Sequence, residues 1–395
     1  MTIRRMIGAA VLALACLVGF ALPGHAAPRT AAAASSTPAS TAPASTRTAL
    51  SSDTGMYPRA VRLQHSGAAN GTIVAQDTAF SPTSPYGSVW ASHDDGATFQ
   101  QIGRVDDPAA AQGLCCTTLF ELPSRVGALA PGTLLWAGSV GQGPADRRMR
   151  LDVYASHDHG RTWSALSTVD VAANTHGLWE PEFAVDARGR LAAFWSDETQ
   201  QPAHSQVLAE SLSSDGLTWS APATIVTGPD AGNRPGMPNV RRMPNGSYVM
   251  SYEVCGVGGA DDCLVHLRRS PDADHWGDPT DLGTVPRTAD GRRFTATPTL
   301  AEWHGRLFLV GQRVTNPDGS LAAGNGETVL TNDRGGSGDW TAIPAPVAVP
   351  DARLDVCPNY SSTLVPSTDG RSVLEIATDY VGTTCTAFYG SGPTR

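Results

Sequence analysis

A glycine returns six times along this chain at nearly constant spacing. Gly71, Gly132, Gly189, Gly246, Gly305 and Gly370 lie 57 to 65 residues apart, each between two short apolar segments. The segments that follow these turns are Thr72 to Ala75, Leu134 to Ala137, Leu191 to Trp195, Tyr248 to Tyr252, Leu307 to Val310 and Val373 to Ala377, and all six read as strands. A hairpin repeated at a fixed period of this size builds stacked or radially arranged copies instead of one enlarged core. Six copies predict an all-β chain folded as a six-bladed propeller.

A second repeat runs in register with the first. Variants of Ser-x-Asp-x-Gly-x-Thr-Trp occupy Ser92 to Phe99, Ser156 to Trp163 and, shortened, Ser213 to Trp219, with weaker copies at Ser270 to Trp276 and Thr331 to Trp340. Their aspartates are Asp94, Asp158, Asp215, Asp272 and Asp333. This is the Asp-box pattern, and its chemistry suits a tight turn: Asp bonds downstream backbone amides, Gly supplies positive φ, and the aromatic packs between neighbouring units. These residues are expected to clip the blades together without taking part in chemistry.

Composition bounds the rest. Residues 1–26 carry Arg4 and Arg5, an apolar run from Met6 to Leu22 and small residues at Gly24 and Ala26, the arrangement of a cleaved secretory signal. Residues 27–52 are almost wholly Ala, Ser, Thr and Pro and are expected to form a disordered linker, because they bury too little apolar surface to offset the entropy of ordering. The propeller is expected over residues 53–395, in a secreted and monomeric protein. No later segment approaches the ~18 consecutive apolar residues of a membrane span. The net charge is −9, with basic residues scattered singly, which argues against nucleic acid as a partner and for a neutral or small one. Six cysteines follow the signal, and an even count in an exported chain favours disulfides over a metal site. Cys255 with Cys263 and Cys357 with Cys385 are the expected pairs, and the adjacent Cys115 and Cys116 can bridge only to each other or elsewhere. The histidines show no metal-ligand spacing, and no cofactor is expected.

Chemistry is expected on the face opposite the glycine turns and Asp boxes, where residues preceding each first strand and following each second strand ring the central channel. That rim collects Arg59, Asp77, Trp179, Glu180, Glu182, Asp197, Arg234, Glu253, Arg313 and Tyr360. Glu180 and Glu253 fall on neighbouring blades with Trp179 beside them. Two carboxylates facing one gap suit glycoside hydrolysis, one giving a proton to the leaving oxygen while the other attacks or stabilises the sugar cation. Glu182 competes with Glu180 for this role, since strand alternation puts both on one side and the intervening Pro181 disturbs it. Arg59, Asp77, Trp179, Glu182, Asp197, Arg234, Arg313 and Tyr360 are the candidate substrate contacts.

Three stretches carry a resemblance to a known family: Leu119-Phe120-Glu121-Leu122-Pro123; Trp179-Glu180-Pro181-Glu182-Phe183 followed by Phe194-Trp195-Ser196-Asp197; and Arg234-Pro235-Gly236-Met237-Pro238 leading to Ser251-Tyr252-Glu253. With them the chain resembles glycoside hydrolase family 93, exo-acting arabinanases within the Asp-box, sialidase-like propellers. The resemblance implies a retaining enzyme that releases arabinobiose from linear α-1,5-arabinan with Glu180 and Glu253 as its pair, the assignment of nucleophile and acid left open. It departs from the family at Cys115-Cys116-Thr117-Thr118. Two alternatives stand beside it. Tyr57-Pro58-Arg59 and Tyr360-Ser361-Ser362 resemble parts of the sialidases, which implies Tyr360 as nucleophile and Arg59, Arg234 and Arg313 as a carboxylate-binding cluster. The other is a non-catalytic carbohydrate-binding propeller, since fold alone confers no activity.

Overall fold

The computed structural model describes residues 47–395. The expected signal and nearly all of the expected linker lie outside the described residues. Six sheets succeed one another along the chain, each running from an innermost strand outward by antiparallel neighbours. The innermost strands are Gly55–Arg62, Leu114–Glu121, Leu178–Val185, Arg234–Arg242, Thr299–Trp303 and Thr363–Pro366, which define blades 1 to 6. Each packs against the next, and the ring closes where Gly55–Arg62 meets Thr363–Pro366. The six-bladed propeller read from the glycine period is the fold observed.

Two blades depart from a plain four-strand plan. Blade 4 continues past its third strand, Leu264–Ser270, through Arg293–Thr295 and Arg313–Thr315 to five strands. Blade 6 takes its outermost strand from the start of the chain, with Thr48–Ala49 pairing Thr48 to Tyr389 and Ala49 to Phe388. Arg47 adds an ion pair to Asp379 at 2.5 Å, and Leu50 is buried. Ladder pairing and core burial thus reach back to Thr48, ahead of the domain start expected at residue 53.

All six repeat glycines have φ between 67° and 94°, the left-handed conformation a tight hairpin turn needs. The Asp boxes cap their turns as expected. Asp158 accepts the backbone N–H groups of Arg161 and Thr162 at 3.1 and 2.9 Å and the Thr162 hydroxyl at 2.6 Å. In the fifth copy Asn332 takes this role, accepting from the N–H groups of Arg334 and Gly336, while Asp333 instead pairs with Arg306. Apolar side chains fill the wedges between blades. Leu135, Val153, Phe183 and Trp195 lie in one such cluster, and Val265, Phe294, Phe308 and Leu309 in another. Burying each such side chain contributes about 1.5–3 kcal/mol. Disulfides join Cys115 to Cys116, Cys255 to Cys263 and Cys357 to Cys385.

Candidate active site

The channel mouth is built by one backbone device used six times. Two residues before each innermost strand settles into its ladder, a non-glycine residue adopts positive φ: Tyr57 (55°), Cys116 (60°), Glu180 (62°), Met237 (58°), Thr297 (46°) and Ser361 (56°). In blades 1 to 4 the ladder slips at this point, the mark of a β-bulge. A proline follows in four blades, as Pro58, Pro181, Pro238 and Pro298. Lacking an N–H, it suits a position with no ladder bond to make. A left-handed non-glycine residue costs of order 1–3 kcal/mol, and bulges re-aim side chains; of the six, Glu180 alone is half-buried, while the other five are buried.

Glu180 occupies that place in blade 3. Its Oε2 accepts the Ser196 hydroxyl at 2.5 Å and the Met237 backbone N–H at 2.8 Å. Glu253 comes from the second strand of blade 4, Tyr248–Cys255, and its Oε2 accepts the Thr297 N–H at 2.6 Å. Each carboxylate thus rests on the bulge amide of the following blade. Gly236 pairs with Glu253 across the ladder, and a Cβ on it would lie 2.7 Å from Gln206 Nε2 and 3.6 Å from Glu180 Oε2. A bare glycine there leaves room for the Gln206 amide beside Ser196 and Glu180.

Both glutamates are half-buried, reaching the channel while protein surrounds them. Burial, reinforced by the charge of Glu180, pushes the Glu253 carboxyl up to about 8, against the opposing Thr297 N–H and Arg234. Burial also raises Glu180, outweighing the Ser196 and Met237 hydrogen bonds that favour its charged form. Glu180 thus has two hydrogen-bond donors where Glu253 has the single Thr297 N–H.

Arg234 lies within electrostatic reach of both. It is held by Glu198 at 2.5 Å, Gln206 at 2.7 Å and the Ser205 hydroxyl at 3.0 Å. Although burial pushes Glu198 upward, Arg234 and the Trp179 indole outweigh it and hold the carboxyl below its ordinary value. Trp179 completes this side of the rim. On the other side Tyr360 is held far above the usual phenol range by burial and then by the charges of Glu180 and Glu253, so it stays neutral. Its ring stands 6.1 Å from that of Tyr57.

Glu180, Glu253, Trp179, Arg234 and Tyr360 are brought together; other expected contacts are not. Asp77 is fully buried in blade 1, bonded to Ser88 and raised to about 7 by burial. Asp197 is buried on the face of its strand opposite Ser196 and accepts the Thr199 N–H at 2.7 Å. Glu182 is also buried, bonded to Arg241 at 2.7 Å and Thr118 at 3.2 Å. It lines a cavity of about 680 Å³ on the glycine-turn side of the propeller, because the bulge at Glu180-Pro181 breaks the strand alternation. Arg59 lines the same cavity, lies under the Tyr57 ring at 4.4 Å and donates to the carbonyls of Pro58 and Ser361. Arg313 stands on the outermost strand of blade 4 with Asp262 nearby. With Arg59 and Arg234 already engaged, the three arginines do not form the free cluster expected of a sialidase.

The sequence reading assigned no role to Glu198, Gln206 or Ser196, nor to the backbone donors of Met237 and Thr297. Ser196 and Glu198 flank Asp197 on the rim, and the recurring x-Pro step was the signal for the bulges. Among the described residues no group of three His, Cys, Asp or Glu side chains is placed to hold a metal ion.

Fold and mouth together define a six-bladed, sialidase-like Asp-box propeller with a carboxylate pair in its channel. Its structural resemblance is to glycoside hydrolase family 93. The α-L-arabinanase of Penicillium chrysogenum, solved with arabinobiose, matches with a TM-score of 0.70 at 25% identity, covering 86% of this chain and 93% of that one. The family 93 α-L-arabinofuranosidase of Fusarium graminearum, also solved with arabinobiose, gives 0.68 at 23% over the same shares. A Hadza microbial sialidase shares the fold at 0.53 and 14% identity, covering 86% of this chain and 66% of that one. No protein-family model and no curated protein matches the sequence.

Proposed function

We propose that the protein is a secreted, retaining glycoside hydrolase that acts from the end of linear α-1,5-arabinan and releases arabinobiose. The observation that carries this reading is the pair itself: Glu180 and Glu253 at one channel mouth, each accepting a backbone amide of the neighbouring blade. The likeness to an arabinanase solved with arabinobiose supports the sugar class. The three disulfides, with the signal expected over residues 1–26, support export.

In this reading the surroundings of each carboxylate support its role. Glu253, protonated near neutrality, gives its proton to the glycosidic oxygen as the bond breaks. Glu180, whose charge is stabilised by two donors, attacks the anomeric carbon to form an ester. Glu253, now charged, takes a proton from water, and that water cleaves the ester and restores both groups. Trp179 offers a stacking surface and Arg234 binds hydroxyls beside the pair.

Full-length protein incubated with debranched arabinan, and separately with sialyllactose, tests this. Arabinobiose from the wild type, falling about 10²–10⁴-fold in Glu180→Gln and Glu253→Gln, is the expected result. Free sialic acid, or no product from either substrate, overturns it.

A further inference from the structure

At this place blade 2 differs from the other five in being covalently tied. Cys116 occupies the place that Glu180 holds in blade 3, and Cys115 the place of Trp179, since Cys115 pairs with Ser139 as Trp179 pairs with Ser196. A disulfide joins these two adjacent residues. Tyr57, Cys116 and Met237 form a buried cluster, against which Cys115, Trp179 and Tyr360 pack half-exposed. The mouth therefore has one apolar surface made of sulfur and aromatic rings around the bulge ring that carries Glu180. Small-molecule sites pair such walls with a few placed polar groups.

The fold does not need this bond. Tyr57 and Met237 hold the same left-handed bulge with no disulfide. What the bond adds is a fixed apolar patch where a serine or threonine pair would place hydroxyls. Resting on the arabinan reading, we propose that the Cys115–Cys116 disulfide is a substrate-contacting wall, packing against the C–H face of an arabinofuranosyl unit and setting specificity for a compact pentose.

The test is steady-state kinetics on arabinan with Cys115→Ser/Cys116→Ser, and with Cys115→Ala/Cys116→Ala should the serine variant fold poorly. The expected result is KM raised about 10-fold with kcat within about twofold, the size of losing a small apolar contact. KM equal to wild type in a folded double variant, with wild type active, overturns this inference alone. A fall in kcat at constant KM also overturns it, since the bond would then serve the pair's geometry. Wild type silent on arabinan overturns the functional reading and this inference with it.

Discussion

Ser196 and Glu253 stand at the same register position of neighbouring blades, Ser196 paired with Trp179 and Glu253 with Gly236. The serine holds Glu180 at 2.5 Å, and the glutamate is the second carboxylate of the mouth. One repeated position thus supplies a support in blade 3 and a reacting group in blade 4.

Ser196→Ala removes one of the two donors that favour ionised Glu180. The acidic limb of the pH–rate profile should move up by about one pH unit, and kcat should fall about 10-fold. A pH profile of kcat/KM for both proteins checks this; an unshifted acidic limb would remove Ser196 from the account.

Wild-type activity should be bell-shaped, with its alkaline limb near the value of about 8 set for Glu253 by burial and the Glu180 charge. Glu253→Gln should abolish that limb along with most activity. The same change should stabilise the fold at high pH. Because the folded value lies above the ordinary 4.5, the folded state favours neutral Glu253. Relative stability is greatest below about 4.5 and declines as pH rises to about 8. The variant should therefore melt above wild type at pH 9 and level with it at pH 4.

Glu182→Gln separates the two neighbouring glutamates. Its carboxylate binds Arg241 and Thr118 away from the mouth, so kcat on arabinan should stay within about threefold while Tm falls, by roughly 1–2 °C per kcal/mol for a domain this large at ~2.1 cal/mol/K per residue. A loss as large as that of Glu180→Gln would reverse the assignment.

Glu375 is wholly buried, accepts the Val347 N–H at 2.9 Å and is raised to about 8 by burial. Glu375→Gln keeps an acceptor and never ionises. Thermal melts should show the variant more stable than wild type at pH 9 and equal to it at pH 4, with kcat unchanged throughout.

The number of blades was legible because glycine, Asp box and aromatic recur in register, and each has a local backbone reason to recur. That Glu180 and Glu253 fall on neighbouring blades was legible from the same repeat. Asp77 and Asp197 were misread because a strand alternates faces, and neither has a local mark of which face meets the channel. Arg59 and Glu182 were misplaced by the bulges, which insert residues and turn the following side chain away from the mouth. The donors from Met237 and Thr297 are backbone groups supplied by the next blade, so no side-chain pattern announces them.

The strand Thr48–Ala49 meets Tyr389 and Phe388 across almost the whole chain. Contacts this distant in sequence form late, because the loop they close is among the longest of the described residues. Until then the last blade presents an unpaired edge on which another chain could dock, so the interval before ring closure is when aggregation competes with folding. Folding yield should therefore depend on Thr48 and Ala49 far more than their small contact area suggests.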